Sequence, residues 1–263
     1  MSIVHTRSIL KGLNDALKDR TNGELTMELA PFDEIVSRGN VSYYEEGGKP
    51  DFLLCLNTRI RNEINGRSEI HCISSISCTI IGQSIIISSK THPSYEGRKY
   101  NLLLRSAIVL LAPYMENERG SSITEITSQA LSSVSAYSMI KYFNATVDGL
   151  QDYLDTHDIH DIHEITPEVI EEYLKDKDDD VESFPSDMGS QELAELAASA
   201  PNFGGILILK INVNDVEIIK KARQTYVYAL AHIKPPRGGG RKHRKTRKTR
   251  KTRKTRKTRK TRK

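Results

Sequence analysis

A mixed α/β (α+β) fold, a central sheet flanked by helices, is what the pattern of this chain predicts. Two observations carry that expectation. Short runs rich in Ile, Leu and Val, bounded by turn residues, recur at 51–60, 69–89, 122–131 and 203–213, and between them lie stretches with apolar residues at helical spacing. Strands interleaved with helices in this way define the mixed class. In addition, about 240 residues precede a tail made almost wholly of charge, enough for one substantial domain.

The elements follow in order. Residues 8–17 (SILKGLNDAL) set Ile9, Leu10, Leu13 and Leu17 on one helical face, with Ser8 as the expected N-cap and Asn22-Gly23 as the stop. A short helical turn is expected over 32–36, after Pro31. Residues 51–60 (DFLLCLNTRI) predict a strand, followed by a turn at Asn65-Gly66. The Ile- and Ser-rich run 69–89, broken by Gly82, predicts two strands in a hairpin that His92-Pro93 ends. An apolar helix is expected from about 99 to 111, stopped by Pro113, then a strand over 122–131 and a short helix over 135–143. Further helices are expected from Pro167 to about residue 175, over 191–200 and over 215–232, with the strongest late strand at 203–213.

Charge divides the chain. From Arg237 onward there are 17 Lys and Arg and no acid, so the overall +5 conceals a body near −12. Residues 151–187 hold 14 Asp and Glu against Lys175 and Lys177. The tail repeats a Lys-Thr-Arg triplet, cannot bury apolar surface, and is expected to be disordered. Its expected partner is nucleic acid or another polyanion, bound through Arg241, Lys242, Arg244, Lys245, Arg247, Lys248, Arg250 and Lys251 and onward. No aromatic residue interrupts the repeat, so base stacking is not offered. The acidic run offers the tail a competing contact within the same molecule. Exposed charges are screened beyond about 8 Å, however, and the acids equally suit a solvated face.

Cys55, Cys72 and Cys78 are odd in number and form no CxxC pair, which reads as reduced, buried thiols in a soluble intracellular protein. No apolar run approaches the ~20 residues of a membrane span. P-loop, HExxH and GxSxG motifs are missing, which removes support for kinase and hydrolase readings. His157, His160 and His163 recur every three residues among acids; three such positions converge poorly on one helix, and a polar surface repeat explains them without a metal. His71 reads as a satisfied core histidine, while His92 is the better general-base candidate; Glu69 and Glu125 are further carboxylates that could act through water.

The order of hairpin, turn HPSYEGRKYN, helix LLLRSAIVLLAP, strand and helix SAYSMIKYF resembles the GNAT acetyltransferase superfamily. The resemblance implies a strand over 85–89 that splays from its neighbour, a turn over 95–101 and a helix N-terminus whose amides hold the pyrophosphate of acetyl-CoA. The implied cofactor-binding residues are Gly97, Arg98, Lys99, Tyr100 and Asn101. Where the family has Arg or Gln and two small residues, this chain has Glu96, Lys99 and Asn101, with Arg98 and Lys99 as replacement cations. The family's proton-donating Tyr aligns with Ile140; Tyr137 and Tyr142 are near, and Asn144-Ala145 replaces the usual Gly-Phe ending. Tyr142 and His92 are therefore the implied catalytic pair, acting on an amine substrate.

The implied organisation is a GNAT-like core at 1–150, an acidic and partly helical insertion at 151–202, a final strand and helix at 203–234 completing the domain, and the tail at 235–263. The alternative is an inactive scaffold that binds nucleoprotein. A degenerate domain of this kind with a triplet-repeat basic tail also resembles proteins of large nucleocytoplasmic DNA viruses, which implies host cytoplasm, nucleus or virion as its location.

Overall fold

Apolar side chains at every second residue build a sheet here, and those at helical spacing cover it. A computed structural model describes residues 3–37, 49–61, 68–130, 133–161, 164–178 and 207–234. Along the chain run α1 (Ile3–Thr21), β1 (Leu25–Pro31), α2 (Phe32–Ser37), β2 (Phe52–Arg61), β3 (Ser68–Ile81) and β4 (Ser84–Thr91). Then come α3 (Tyr100–Leu111), β5 (Glu125–Ala130), α4 (Ser133–Phe143), β6 (Thr146–Val147), α5 (Leu150–Thr156), α6 (Pro167–Asp178), β7 (Leu207–Asn212) and α7 (Val216–His232). The strands form one sheet in the order β1-β2-β3-β4-β5-β7-β6. Neighbours are antiparallel except for β4 and β5, which are parallel and joined through α3.

Strand β2 explains why both faces of this half of the sheet are covered. Leu53 and Cys55 join a small cluster with Ala30, Ile35 and Cys72, against which Phe32 of α2 packs. Phe52, Leu54 and Leu56, alternate residues of the same strand, enter the main core on the other face. Helix α3 is the centre of that core. Every residue from Leu102 to Leu111 is buried, and the helix packs on β2, β3, β4, α1 and α7. Two tyrosine hydroxyls tie the assembly over long sequence distances. Tyr226 of α7 donates to the Leu13 carbonyl at 2.7 Å, and Tyr100 donates to the Lys234 carbonyl at 2.7 Å.

Several elements differ from the sequence expectation. α1 begins at Ile3, so Ser8 lies inside the helix and does not cap it. β1 was not expected, although Leu25, Met27 and Leu29 alternate with Thr26 and Glu28. The strand expected over 122–131 starts at Glu125, because Ser122 instead bridges to Glu116 across a tight loop. α5 and the two-residue β6 were likewise unread. His71 is no core histidine: its side chain is half-buried, 3.6 Å from the Glu69 carboxylate. The three cysteines are free and buried, as expected. The Asn65-Gly66 turn, His163, residues 203–206, the helix expected over 191–200 and the whole basic tail lie outside the described residues. Among the described residues no helix is long and apolar enough to cross a membrane.

Candidate functional site: a cleft where two parallel strands part

Strands β4 and β5 pair over only four positions, from Ser84 opposite Glu125 to Ile87 opposite Ser128. Glu125 helps hold this end: its carboxylate accepts from the Ser84 and Thr127 hydroxyls, both at 3.3 Å. Beyond Ile87, β4 remains paired to β3 as far as Thr91, while β5 remains paired to β7 as far as Ala130. The two strands thus take separate partners and leave a gap. A cleft of about 470 Å³ lies beside it, walled by the turn into α3, by α3 itself and by α4.

The turn is built residue by residue. Pro93–Tyr95 form a single 3-10 turn that His92 caps, its Nδ1 accepting from the Ser94 amide at 3.2 Å. That bond engages the Nδ1 lone pair, and His92 is not among the residues lining the cleft. Gly97 takes φ +70°, as a residue without a Cβ can do freely. Lys99 takes φ +67° as the N-cap of α3 and offers the first-turn amides no side-chain acceptor. Those amides carry the positive end of the helix dipole toward the cleft. Arg98 lies over the Tyr95 ring, 5.2 Å from its centroid, and interacts with the Tyr100 phenol. Burial, which outweighs Arg98, pushes the Tyr100 phenol up to about 12.

The most informative group is one the sequence reading missed. Arg105, one turn into α3, is only 7% exposed and lines the cleft. Its Nη2 donates to Ser89 Oγ of β4 at 2.9 Å and to Ser135 Oγ of α4 at 3.3 Å, so it spans the gap between the two walls. Its Nε–H is buried without an acceptor. Burial, with no acid among the described residues opposing it, pulls its pKa down to about 10, so it stays charged at neutral pH. Four residues earlier on the same helix face, the Asn101 Oδ1 is a buried acceptor without a donor.

On α4, Val134, Ser135, Ser138 and Tyr142 line the opposite wall, a spacing that places them on one side of the helix. Ile140, where the family resemblance aligns its proton donor, points into the core at 4% exposed. Tyr142 reaches the cleft instead. Its ring stacks on Tyr228 at 6.0 Å, and burial followed by that neighbouring phenol raises its pKa. Of the expected site residues, the structure brings Gly97, Arg98, Lys99, Tyr100, Asn101 and Tyr142 to one cleft. His157 caps the end of α5, bonded through Nδ1 to the Tyr153 carbonyl at 2.8 Å and stacked on that ring. Among the described residues no three His, Cys, Asp or Glu gather as a metal site.

No family model matches the chain, and no curated protein matches it. Among solved structures it is similar to a cAMP-binding acyltransferase from Mycobacterium smegmatis, recorded in two mutant forms. The TM-scores are 0.34 and 0.32, the identities 9% and 10%, and the coverages 84% and 86% of this chain against 60% and 62% of that one. The chain therefore spans about three fifths of that protein's length. So loose a superposition decides nothing about activity. Fold and cleft define a mixed α/β protein whose central sheet opens between parallel strands at a helix N-terminus.

Proposed function

We propose that this chain is a divergent GNAT-like protein that binds acyl-CoA in the β4–β5 gap and transfers the acyl group to an amine. The observation that carries the reading is the parting of two parallel strands beside an uncapped helix N-terminus. The residues fit such a ligand. The first-turn amides of α3 face anions, and the buried Asn101 oxygen awaits an N–H donor. Glu96 and the Cβ atoms at Lys99 and Asn101 narrow the approach, although Lys99 already holds the backbone conformation that glycine would take.

Acyl-CoA supplies an acyl group activated as a thioester. Around it, residues 88–91 of β4 no longer pair with β5, and their backbone groups are suited to an extended amide-bearing chain. Tyr142, kept protonated by its raised pKa, is the proton donor for the departing thiolate. The amine nitrogen forms the new C–N bond and loses its proton to water, since the His92 Nδ1 is committed to the Ser94 amide. Residues 237–263, with their 17 cationic side chains, hold nucleic acid or another polyanion. The second reading keeps this tail and discards the chemistry, leaving a scaffold; the acid at Glu96, inside an anion-facing cleft, favours it.

Calorimetric titration of acetyl-CoA into the full chain separates these readings. At about 0.3 M salt, where the screening length is only a few ångström, tail binding is suppressed. The expected result is one saturable site in the wild type that Ser138→Trp, which fills the cleft, removes. Absence of a saturable site, or a site indifferent to Ser138→Trp, leaves the scaffold reading.

A further inference from the structure

Arg105 is a buried cation that no carboxylate among the described residues answers. Among the described residues its partners are two serine hydroxyls, from different elements, and its Nε–H has none. Glu96, the one acid among the described residues that line the same cleft, is exposed. Taking a lone charge out of water is strongly unfavourable unless an opposite charge accompanies it. Helical side chains lean toward the N-terminus, so the guanidinium of Arg105 covers the turn that precedes it, the same turn whose amides lack a side-chain cap. Helix dipole, uncapped amides and a planar fork of donors converge on the chemistry of a phosphate or pyrophosphate group.

We propose that Arg105 is the buried counter-ion of a phosphate-bearing ligand in this cleft, bound jointly by its guanidinium and by the first-turn amides of α3. This deepens the acyl-CoA reading by moving the anion's main cation from the half-buried Arg98 and the exposed Lys99 to a residue on the inner wall. It also accounts for two departures at the turn. Arg98 is occupied by the Tyr95 and Tyr100 rings, and the turn carries a Lys and an Asn where close backbone approach favours glycine. An anion held from the helix side needs less from that turn. The serines have a role in this arrangement: Ser89 and Ser135 anchor the outer guanidinium nitrogen and fix the plane of the fork.

The test uses the full chain and inorganic pyrophosphate. The ¹⁵N–¹H signal of the Arg105 Nε, assigned by its loss in Arg105→Met, is followed through a titration at constant ionic strength. The proposal expects a saturable shift, and pyrophosphate binding roughly 10- to 100-fold weaker in Arg105→Met, the loss of a charge-assisted contact, with Arg105→Lys between the two. The tail is common to all three proteins, so its contribution cancels in the comparison. An Nε signal that does not move while pyrophosphate binds overturns the proposal, and where Arg105→Met does not fold the same assignment is made from its loss in Arg105→Lys. Equal acetyl-CoA affinity in wild type and Arg105→Met also overturns it, while leaving the acyl-CoA reading intact. Saturable pyrophosphate at Arg105 without any acetyl-CoA binding does the reverse.

Discussion

Lys99 holds a left-handed backbone, φ +67°, with a side chain that makes no capping bond. A residue with a Cβ loses ~1–2 kcal/mol there, while glycine's extra freedom in the unfolded chain costs ~0.5–1 kcal/mol. Lys99→Gly is therefore expected to stabilise the protein by about 0.5 kcal/mol, read as a higher urea midpoint at unchanged slope. A lower midpoint would mean that the lysine side chain contributes packing or charge that its exposed position does not suggest. Arg105 shows the opposite kind of residue, one whose cost is visible and whose partners among the described residues are two neutral hydroxyls. Its signal was present in the sequence: it interrupts an otherwise apolar run, LLLRSAIVLL, at a position a core helix does not ordinarily give to a charge. What the sequence could not convey is that Ser89 and Ser135 converge on it, because they sit on separate elements, β4 and α4, that face each other across the gap beside β5.

At the scale of elements, a tyrosine hydroxyl ties the N-terminus of α3 to the chain just after α7, and another ties α7 to α1 alongside Arg20, whose guanidinium donates to the Leu230 and Ala231 carbonyls. Tyr100 donates to the Lys234 carbonyl, and Tyr226 to the Leu13 carbonyl. Burial raises both phenols above the ordinary 10 that they regain on unfolding, Tyr100 to about 12. The fold thus prefers the neutral phenol. The stability it gains is whole below pH about 10 and is lost as pH rises through 12. Melting temperature is expected to fall steeply across that window, together with phenolate absorbance, and Tyr100→Phe should flatten the fall. A melting temperature independent of pH from 10 to 12 would show that neither phenol is shielded. These ties explain part of what was legible. Long periodic segments such as α3 and α7 were read within a residue or two, because burial on one helix enforces a pattern. β1 was missed since its seven residues end in Pro31, beside a segment with helical signals, and its pairing partner β2 lies more than twenty residues away. β6 is too short to carry any pattern and exists only because β7 lies beside it.

The whole molecule is organised by where its charge leaves the fold. The Lys234 carbonyl accepts from the Tyr100 hydroxyl, and Tyr100 lines the cleft, so the described part of the chain ends beside the candidate site. Under the proposed reading, a polyanion held by residues 237–263 would be tethered within a few residues of the cleft. The acids of α5 and α6, among them Asp152, Glu168, Glu171 and Glu172, are the expected rival for the tail within the chain, against a solvated face that never meets it. A rival of this kind weakens with salt as the polyanion contact does, but without releasing condensed counterions. Binding of a random-sequence oligonucleotide is expected to fall linearly on a log–log salt plot, with a slope of about −0.9 for each phosphate contacted, and to disappear when the chain is cut after Pro236. Removing the acids by Glu→Gln at Glu168, Glu171 and Glu172 should tighten binding at low salt and leave it unchanged at high salt. Binding that outlives the truncation would place the nucleic-acid surface on the folded body. Indifference to sequence in the full chain, with sequence preference in the truncated one, would give the cleft face a reading role that the tail conceals.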